Sequence, residues 1–491
     1  MDRLVPVMTI LIPIFGGLLV PAFKDRKLKG MHIYVESIVI ITSAFVLFLL
    51  CNRNEDLIEL IHFTGNLELA FKVDGLGTVF AGMVAILWPF ATLYSFEYMK
   101  HEEREHSFFM FYTMTYGITL GIALSANILT MYCFYEMLTL VTLPLVMHTA
   151  TREAVLASRK YLVYSMGGAA FAFIGMLFLI IYGHGGDFVY GGTLDLGLVG
   201  DRVNILLLVY MMAFMGFSVK AAMFPFHGWL PDASVAPTPV TALLHAVAVV
   251  KSGAFATMRL TYYCFGIDFL KGTWAQKVIM VLIIFTIVFG CSMAVKETHF
   301  KRRLAFSTIS NLSYILFGVA LMSPLGLVGA LCHMVSHAFM KILSFLCAGS
   351  VIVQSGSTYV HQLDGMGKKM PKVFALFTIS SFALMGVPGL SGFMSKWNLV
   401  RAAVAENTAW GYVGVVALLV SALLTGIYMM TVVVRAFIPG KDFDYSNIEK
   451  VTDPSWVMLV PLTFFAIGCI VIGLYSGPLL KFFNMIAGGM R

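Results

Sequence analysis

Residues 204–263, NILLLVYMMAFMGFSVKAAMFPFHGWLPDASVAPTPVTALLHAVAVVKSGAFATMRLTYY, decide how the whole chain is read. Asn204 to Val219 has the length and composition of most of a membrane-spanning helix, and Lys220 stands inside it. Insertion scales put a lysine at the centre of such a helix at roughly +2.5 to +3.5 kcal/mol, so this position is expected to face a protein interior or a water-filled path. Pro225 cannot donate to the carbonyl of Ala221, which frees an acceptor one residue from the lysine and breaks the helix. At membrane depth such a break persists only where protein or water re-satisfies the backbone, and transporters build ion sites from discontinuous helices. A rigid re-entry, Trp229 to Ala233 and Ala236 to Pro239, leads into a second helix with His245 and Lys251. Two adjacent spans therefore hold three titratable nitrogens.

Composition places this stretch in a polytopic membrane protein. The chain is 59% hydrophobic and 12% charged, with a mean hydropathy of +0.86. Spans of about 20 residues with short connections give on the order of 14 helices. They are expected near 4–23, 31–51, 75–98, 107–127, 128–148, 160–183, 204–225, 238–262, 276–294, 304–321, 325–352, 372–399, 411–437 and 455–479. The first is followed by a basic loop and further spans, with no small-residue cleavage site, and is expected to be retained. Loops after the odd-numbered spans carry nineteen Lys and Arg residues, among them Lys24, Arg26, Lys27, Arg159, Lys301, Lys369 and Lys441. The opposite loops and the termini carry ten, among them Arg3, Arg53, Arg202, Arg259 and Arg491. By the positive-inside rule both termini face outward.

Most of the net charge of +7 is this topogenic bias and requires no nucleic acid. A basic inner face can also attract anionic lipid. The seven cysteines form no CxxC pair and sit mostly within spans, so neither a disulfide framework nor a zinc or iron–sulfur site is indicated. No GxGxxG or Walker sequence opens a helix, and no cofactor is expected. Of the 33 Lys and Arg residues, Lys220, Lys251, Lys341 and Lys396 remain inside spans, a class of residue that marks function by default.

The remaining spans repeat the chemistry. Glu136 lies in the apolar fifth span, where a lone carboxylate needs a cation, and four lysines are candidates. His245 and Lys251 are six residues apart, about 240° and about 9 Å on a continuous helix, and cannot share one bidentate site. His333, His337 and Lys341 stand at i, i+4 and i+8, a single stripe with about 6 Å between members. Such a stripe suits a water-bridged proton relay; two histidines without a carboxylate make a poor site for a hard cation. Gly386-Val387-Pro388-Gly389 breaks the twelfth span ahead of Lys396, and Pro388 frees the carbonyl of Leu384. Two broken, lysine-bearing spans are the pointer to an inverted-repeat transporter. The basic run Lys301-Arg302-Arg303 reads as a topogenic cluster on the inner face.

Phe224-Pro225-Phe226-His227-Gly228-Trp229-Leu230-Pro231-Asp232-Ala233, followed by Pro237-Thr238-Pro239-Val240-Thr241-Ala242-Leu243-Leu244-His245-Ala246, resembles the signature of the antiporter-like membrane subunits. These occur in respiratory complex I, in Mrp-type cation/proton antiporters and in energy-converting membrane-bound hydrogenases. Ser336 to Lys341 matches as well, while His299 stands where many members have an aspartate. The resemblance implies an all-α fold with helices 1–3 in residues 1–106, five-helix repeats in 107–263 and 264–437, and a last helix in 438–491. It implies that Glu136 partners Lys220 and that protons pass by Lys251 and His245 to His333, His337, Lys341 and Lys396. The partners implied are other membrane subunits and a peripheral redox arm that drives translocation of protons, or of sodium against protons. A gradient-driven Mrp-type antiporter is the alternative. An organic solute carrier is the weaker one, because no patch of aromatic and hydrogen-bonding residues flanks the breaks. With no lateral helix expected after the fourteenth span, an internal or single-module subunit is anticipated.

If the loop charges set the orientation, a cysteine placed between Gly186 and Gly192 labels with an impermeant reagent from outside, and one at Lys369 only after permeabilisation. The reverse pattern inverts the topology.

Overall fold

The computed structural model describes residues 5–23, 28–52, 57–64, 67–183, 185–440 and 443–489. Of the charges used for orientation, Arg3, Lys24, Arg26, Lys27, Arg53, Lys441 and Arg491 lie outside the described residues. Among those described, eleven helices are long and apolar enough to cross a membrane, fewer than the 14 expected. The expected spans not among the eleven are Glu105–Ala123 and Phe300–Ala320, helices made less apolar by Ser, Thr and Tyr, and the broken pair Pro371–Met385 and Ser391–Ala405. The fold is helical throughout except for an antiparallel hairpin that the sequence reading did not anticipate. Its strands, β1 (Ile58–Thr64) and β2 (Leu67–Phe71), precede the helix Gly75–Tyr98.

Helix starts follow local chemistry. Asp74, Asn127, Thr151, Thr273, Ser323 and Thr408 each accept a backbone N–H from the first turn of the helix they precede, which satisfies a donor that has no carbonyl partner. The axis of the bundle is the 32-residue helix Pro324–Ser355. Its most apolar window is 94% buried, and that of Thr238–Phe265 is 100% buried, whereas most other spans keep a lipid-facing side. Around the long helix pack Phe300–Ala320, Ser391–Ala405, Thr238–Ala246, Pro371–Met385 and Trp456–Leu474. The segments richest in intramembrane charge are thus the ones withdrawn from lipid.

Three spans are discontinuous. Val203–Ser218 stops seven residues before Pro225, and Ala222 takes a left-handed φ of 55°. The loose backbone is satisfied by protein: the Trp229 indole donates to Val219 O at 2.8 Å, and Phe224 N donates to Thr286 Oγ1 at 3.1 Å. Pro371–Met385 stops at Gly386, whose φ of 94° suits glycine, and the chain resumes as a helix at Ser391. The third break corrects the sequence reading, which had one helix over 238–262. Thr238–Ala246 and Val249–Met258 are separate, and the second runs into a π-helical turn, Arg259–Phe265. The angular offset calculated for His245 and Lys251 on one helix therefore does not apply.

Close backbone approach holds the second break together. A Cβ on Gly392 would stand 1.8 Å from Ala383 O, whereas one on Gly30 would meet nothing within 4 Å. Gly392→Ala is therefore expected to destabilise by about 1–3 kcal/mol through overpacking, read as a lower melting temperature of the detergent-solubilised protein, with Gly30→Ala close to neutral. Equal melting temperatures for the two would refute this account of the break.

Candidate functional site

Lys220 lies in the unwound stretch after Ser218, fully buried. Its ammonium donates to the carbonyl of Tyr135 and sits 3.4 Å from the centre of the Tyr135 ring, a carbonyl and a π face together. Tyr135 is held in turn by its hydroxyl, which donates to Phe217 O at 3.0 Å. Glu136, the neighbour of Tyr135, is half-buried, and its Oε1 has no hydrogen-bond partner. Glu136 and Lys220 interact electrostatically without forming a direct ion pair. Their link runs through the Tyr135 backbone.

The helix Val249–Met258 packs onto this lysine because residue 253 is glycine: a Cβ there would stand 2.6 Å from Ala221 N and 3.0 Å from Lys220 C. Lys251, on the same helix, is fully buried and reaches across to the long helix, where its Nζ lies 2.5 Å from His337 Nδ1. One turn along, the His333 ring is 5.7 Å from that of His337, centre to centre. The His333 Nδ1 is 3.0 Å from Ser395 Oγ, and the next residue is Lys396. Lys396 donates to Leu384 O at 2.6 Å and Met385 O at 3.1 Å, capping the carbonyls at the end of the helix before the break. These contacts form a lateral row from Lys251 to Lys396.

Lys341 lies beside that row. It turns toward Phe300–Ala320 and donates to Ser307 Oγ at 2.7 Å and Leu304 O at 3.1 Å. His245 rests on the Phe345 ring at 4.7 Å with both ring nitrogens unpartnered, within electrostatic reach of Lys341 and Lys301. Lys301 corrects the topogenic reading. It is 8% exposed and donates to Ala236 O at 2.8 Å, and Arg303 is also buried, with Tyr428 O and Glu297 O as acceptors. Only Arg302 of the three is a surface charge. Lys301 floors a cavity of about 640 Å³ lined by Glu102, Glu153, Lys160, Asp232 and Arg302. Burial raises the Glu102 carboxyl above its ordinary range, against an opposing pull from Lys301 and His101.

Two features escaped the sequence reading. A hydroxyl cluster fills the space between Lys341 and Lys396: Ser307 meets the Tyr428 hydroxyl at 2.6 Å, and the Tyr314 hydroxyl donates to Ser421 Oγ at 2.5 Å. Ser421 also contacts Ser310 at 3.0 Å and Cys291 at 2.7 Å, and the Tyr314 ring lies 5.4 Å from Lys396 Nζ and 5.0 Å from the His333 ring. The signal was present, since Ser307, Ser310 and Tyr314 fall on one face of a helix at spacings of three and four. The other is Arg259, counted with the outward loops but fully buried, paired with Asp74 and ringed by Phe188, Phe255 and Tyr263.

Fold and site together define a multi-pass, all-helical membrane protein in which three interrupted spans surround a buried row of lysines and histidines. Residues 125–425 match the family described as NADH:quinone oxidoreductase/Mrp antiporter, TM, and residues 61–109 match NADH-Ubiquinone oxidoreductase (complex I), chain 5 N-terminus. The chain is 30% identical to NADH-quinone oxidoreductase subunit N of Desulforudis audaxviator over 431 residues, covering 83% of this chain and 82% of that protein. It is 30% identical to F(420)H(2) dehydrogenase subunit L of Methanosarcina mazei over 501 aligned positions, covering 94% and 73%. A chain of the membrane-bound sulfane sulfur reductase, an archaeal respiratory membrane complex, shares the fold with a TM-score of 0.84 at 21% identity, covering 99% and 97%. The chain belongs to the NADH:quinone oxidoreductase/Mrp antiporter membrane-subunit family.

If the hydroxyl cluster orients the lysine, Ser307→Ala removes one of the two acceptors of Lys341 while Leu304 O remains, and a partial loss of translocation in the assembled complex is expected. Tyr314→Phe keeps the ring over Lys396 and is expected to cost less than Tyr314→Leu. Full activity in Tyr314→Leu would reduce the tyrosine to packing.

Proposed function

We propose that this chain is an ion-translocating subunit of a redox-driven membrane complex and that it moves protons along its row of buried charges. The observation that carries the reading is the Lys251–His337 contact at 2.5 Å, because it joins an interrupted span to the long helix, whose His333 in turn meets Ser395 of another interrupted span. Lys220, tuned by Glu136, is the station at the first break, and Lys396 the one at the second. Between them His337 and His333 supply exchangeable nitrogens, and Lys341 with His245 forms a branch toward the Lys301 cavity. The groups titrate as a coupled set. Residues 107–263 and 264–437 act as the two repeated halves, and both termini face outward in this reading. Other membrane subunits and a peripheral redox arm, the kind of assembly in which the relatives are found, supply the drive.

In the intact complex, reconstituted and assayed for acidification with a pH dye, Lys251→Met is expected to abolish translocation and slow the coupled redox reaction. Lys277→Met is the exposed control and is expected to leave both intact. Glu136→Gln removes the charge near Lys220 at constant volume and should lower translocation strongly with assembly unchanged. Normal pumping in Lys251→Met would exclude a continuous row. Copurification with further antiporter-type subunits and no redox partner, together with sodium-dependent exchange, would move the chain to the gradient-driven class.

A further inference from the structure

The three helices Leu28–Cys51, Gly75–Tyr98 and Glu105–Ala123 lie outside the row and carry a polar lane of their own. Glu36 is the ninth residue of the first of these, about 12 Å along its axis. Its Oε2 is buried without a hydrogen-bond partner. Three more buried polar atoms in the same helices are unpartnered: Trp88 Nε1, Thr42 Oγ1 and Thr113 Oγ1, all on residues with no exposed surface. Tyr112 feels the charge of Glu36, with Thr92 and Ser95 beside its hydroxyl. The lane continues through Trp88, whose ring is 5.4 Å from Tyr112 and stacked 4.8 Å from Tyr116, to a Tyr116–Ser43 hydroxyl pair at 2.8 Å. At its other end His32, one turn before Glu36, bonds Glu105 at 2.5 Å, and both side chains are partly exposed.

Buried polar atoms are ordinarily paired, so four orphans within one three-helix packing mark a lane built for something other than apolar contact. Glu36 has no ion-pair partner among the described residues, and a carboxyl at membrane depth without a cation is carried more cheaply neutral than charged. A hard metal cation needs six or more oxygens, which one carboxyl and scattered hydroxyls do not supply. Among the titratable groups of the helices packed on Leu28–Cys51, Tyr112 feels the charge of Glu36, Glu105 bonds His32 and Tyr116 meets Ser43; on Gly75–Tyr98, Tyr94 bonds Leu346 O, Tyr98 meets Thr238 and Glu97 pairs with Lys100, and Val5–Leu18 brings none. We propose that the N-terminal helices hold a second proton-binding site, centred on the Glu36 carboxyl, lined by the Tyr112 hydroxyl and reached through the His32–Glu105 pair. It is separate from the row that includes Lys251 and Lys396.

Dicyclohexylcarbodiimide, an apolar reagent across whose C=N bond a protonated carboxyl adds, its proton going to nitrogen and its oxygen to carbon before rearrangement to a stable N-acylurea, tests this in membranes holding the intact complex, with adducts located by peptide mass spectrometry. An adduct on Glu36 is expected at neutral pH, its rate falling about tenfold per pH unit above the midpoint. Tyr112→Phe removes a polar hydroxyl from the surroundings of the carboxyl, leaves its charged form less well solvated, and is expected to move that midpoint upward. Glu36→Gln abolishes the adduct. Ion translocation measured on the same membranes reports assembly and the central row independently. No adduct on Glu36 at any pH between about 5 and 9 in complexes that still pump would overturn the site, and a midpoint unmoved by Tyr112→Phe would remove the tyrosine from it.

Discussion

Burying a lysine ammonium at membrane depth is the constraint on which the rest of this structure depends. The cost, roughly 2.5–3.5 kcal/mol for each lysine at a helix centre, cannot be met by water in a packed bundle. It is met by acceptors inside the bundle, chiefly backbone carbonyls. Lys220 takes the carbonyl of Tyr135, which lies within a continuous helix, and the Tyr135 ring, whereas Lys396 takes Leu384 O and Met385 O, the last carbonyls before the second break. The second break thus supplies the acceptors of a cation. The cation in turn makes that break tolerable.

The two ends of the row are built differently. At Lys220 a glutamate interacts electrostatically while the Tyr135 carbonyl accepts the hydrogen bond, so charge and hydrogen bond come from separate residues. At Lys396 no carboxylate pairs with the ammonium among the described residues, and the surroundings are carbonyls, Tyr314 and hydroxyls. A carboxylate stabilises the charged lysine over a distance, whereas carbonyl and hydroxyl dipoles act at contact. Loss of a proton therefore perturbs the two ends unequally, an asymmetry suited to moving charge in one direction. Lys341 and His245, beside the row, connect it sterically and electrostatically to the cavity over Lys301.

Packing serves the same end. The helix with His333, His337 and Lys341 is among the most enclosed elements, and the helices around it present hydroxyls beside the lysines of the row. Glycines at 253 and 392 let neighbouring backbones close to distances a Cβ would forbid, and those contacts set where Lys251 and Lys396 stand. The resulting interior is both dense and polar, with paired hydroxyls such as Ser307–Tyr428 beside buried hydroxyls that have no partner, Ser336 among them.

Composition and local pattern determined the membrane class, the approximate positions of most spans, the breaks near Pro225 and Pro388, and the intramembrane place of Lys220, Lys251, Lys341 and Lys396. These follow from the cost of polar groups in lipid and from the geometry of proline, both of which act on a few consecutive residues. The i, i+4, i+8 stripe was legible for the same reason. The sequence did not determine which nitrogen meets which acceptor. That Lys251 pairs with His337, that Lys341 leaves the stripe for Ser307, that Lys301 and Arg259 are buried, and that the span after Pro237 breaks between His245 and Lys251 depend on helices far apart in the chain. Only the tertiary structure decided them, because a long, flexible ammonium goes to whichever carbonyl or ring the packing leaves within its reach.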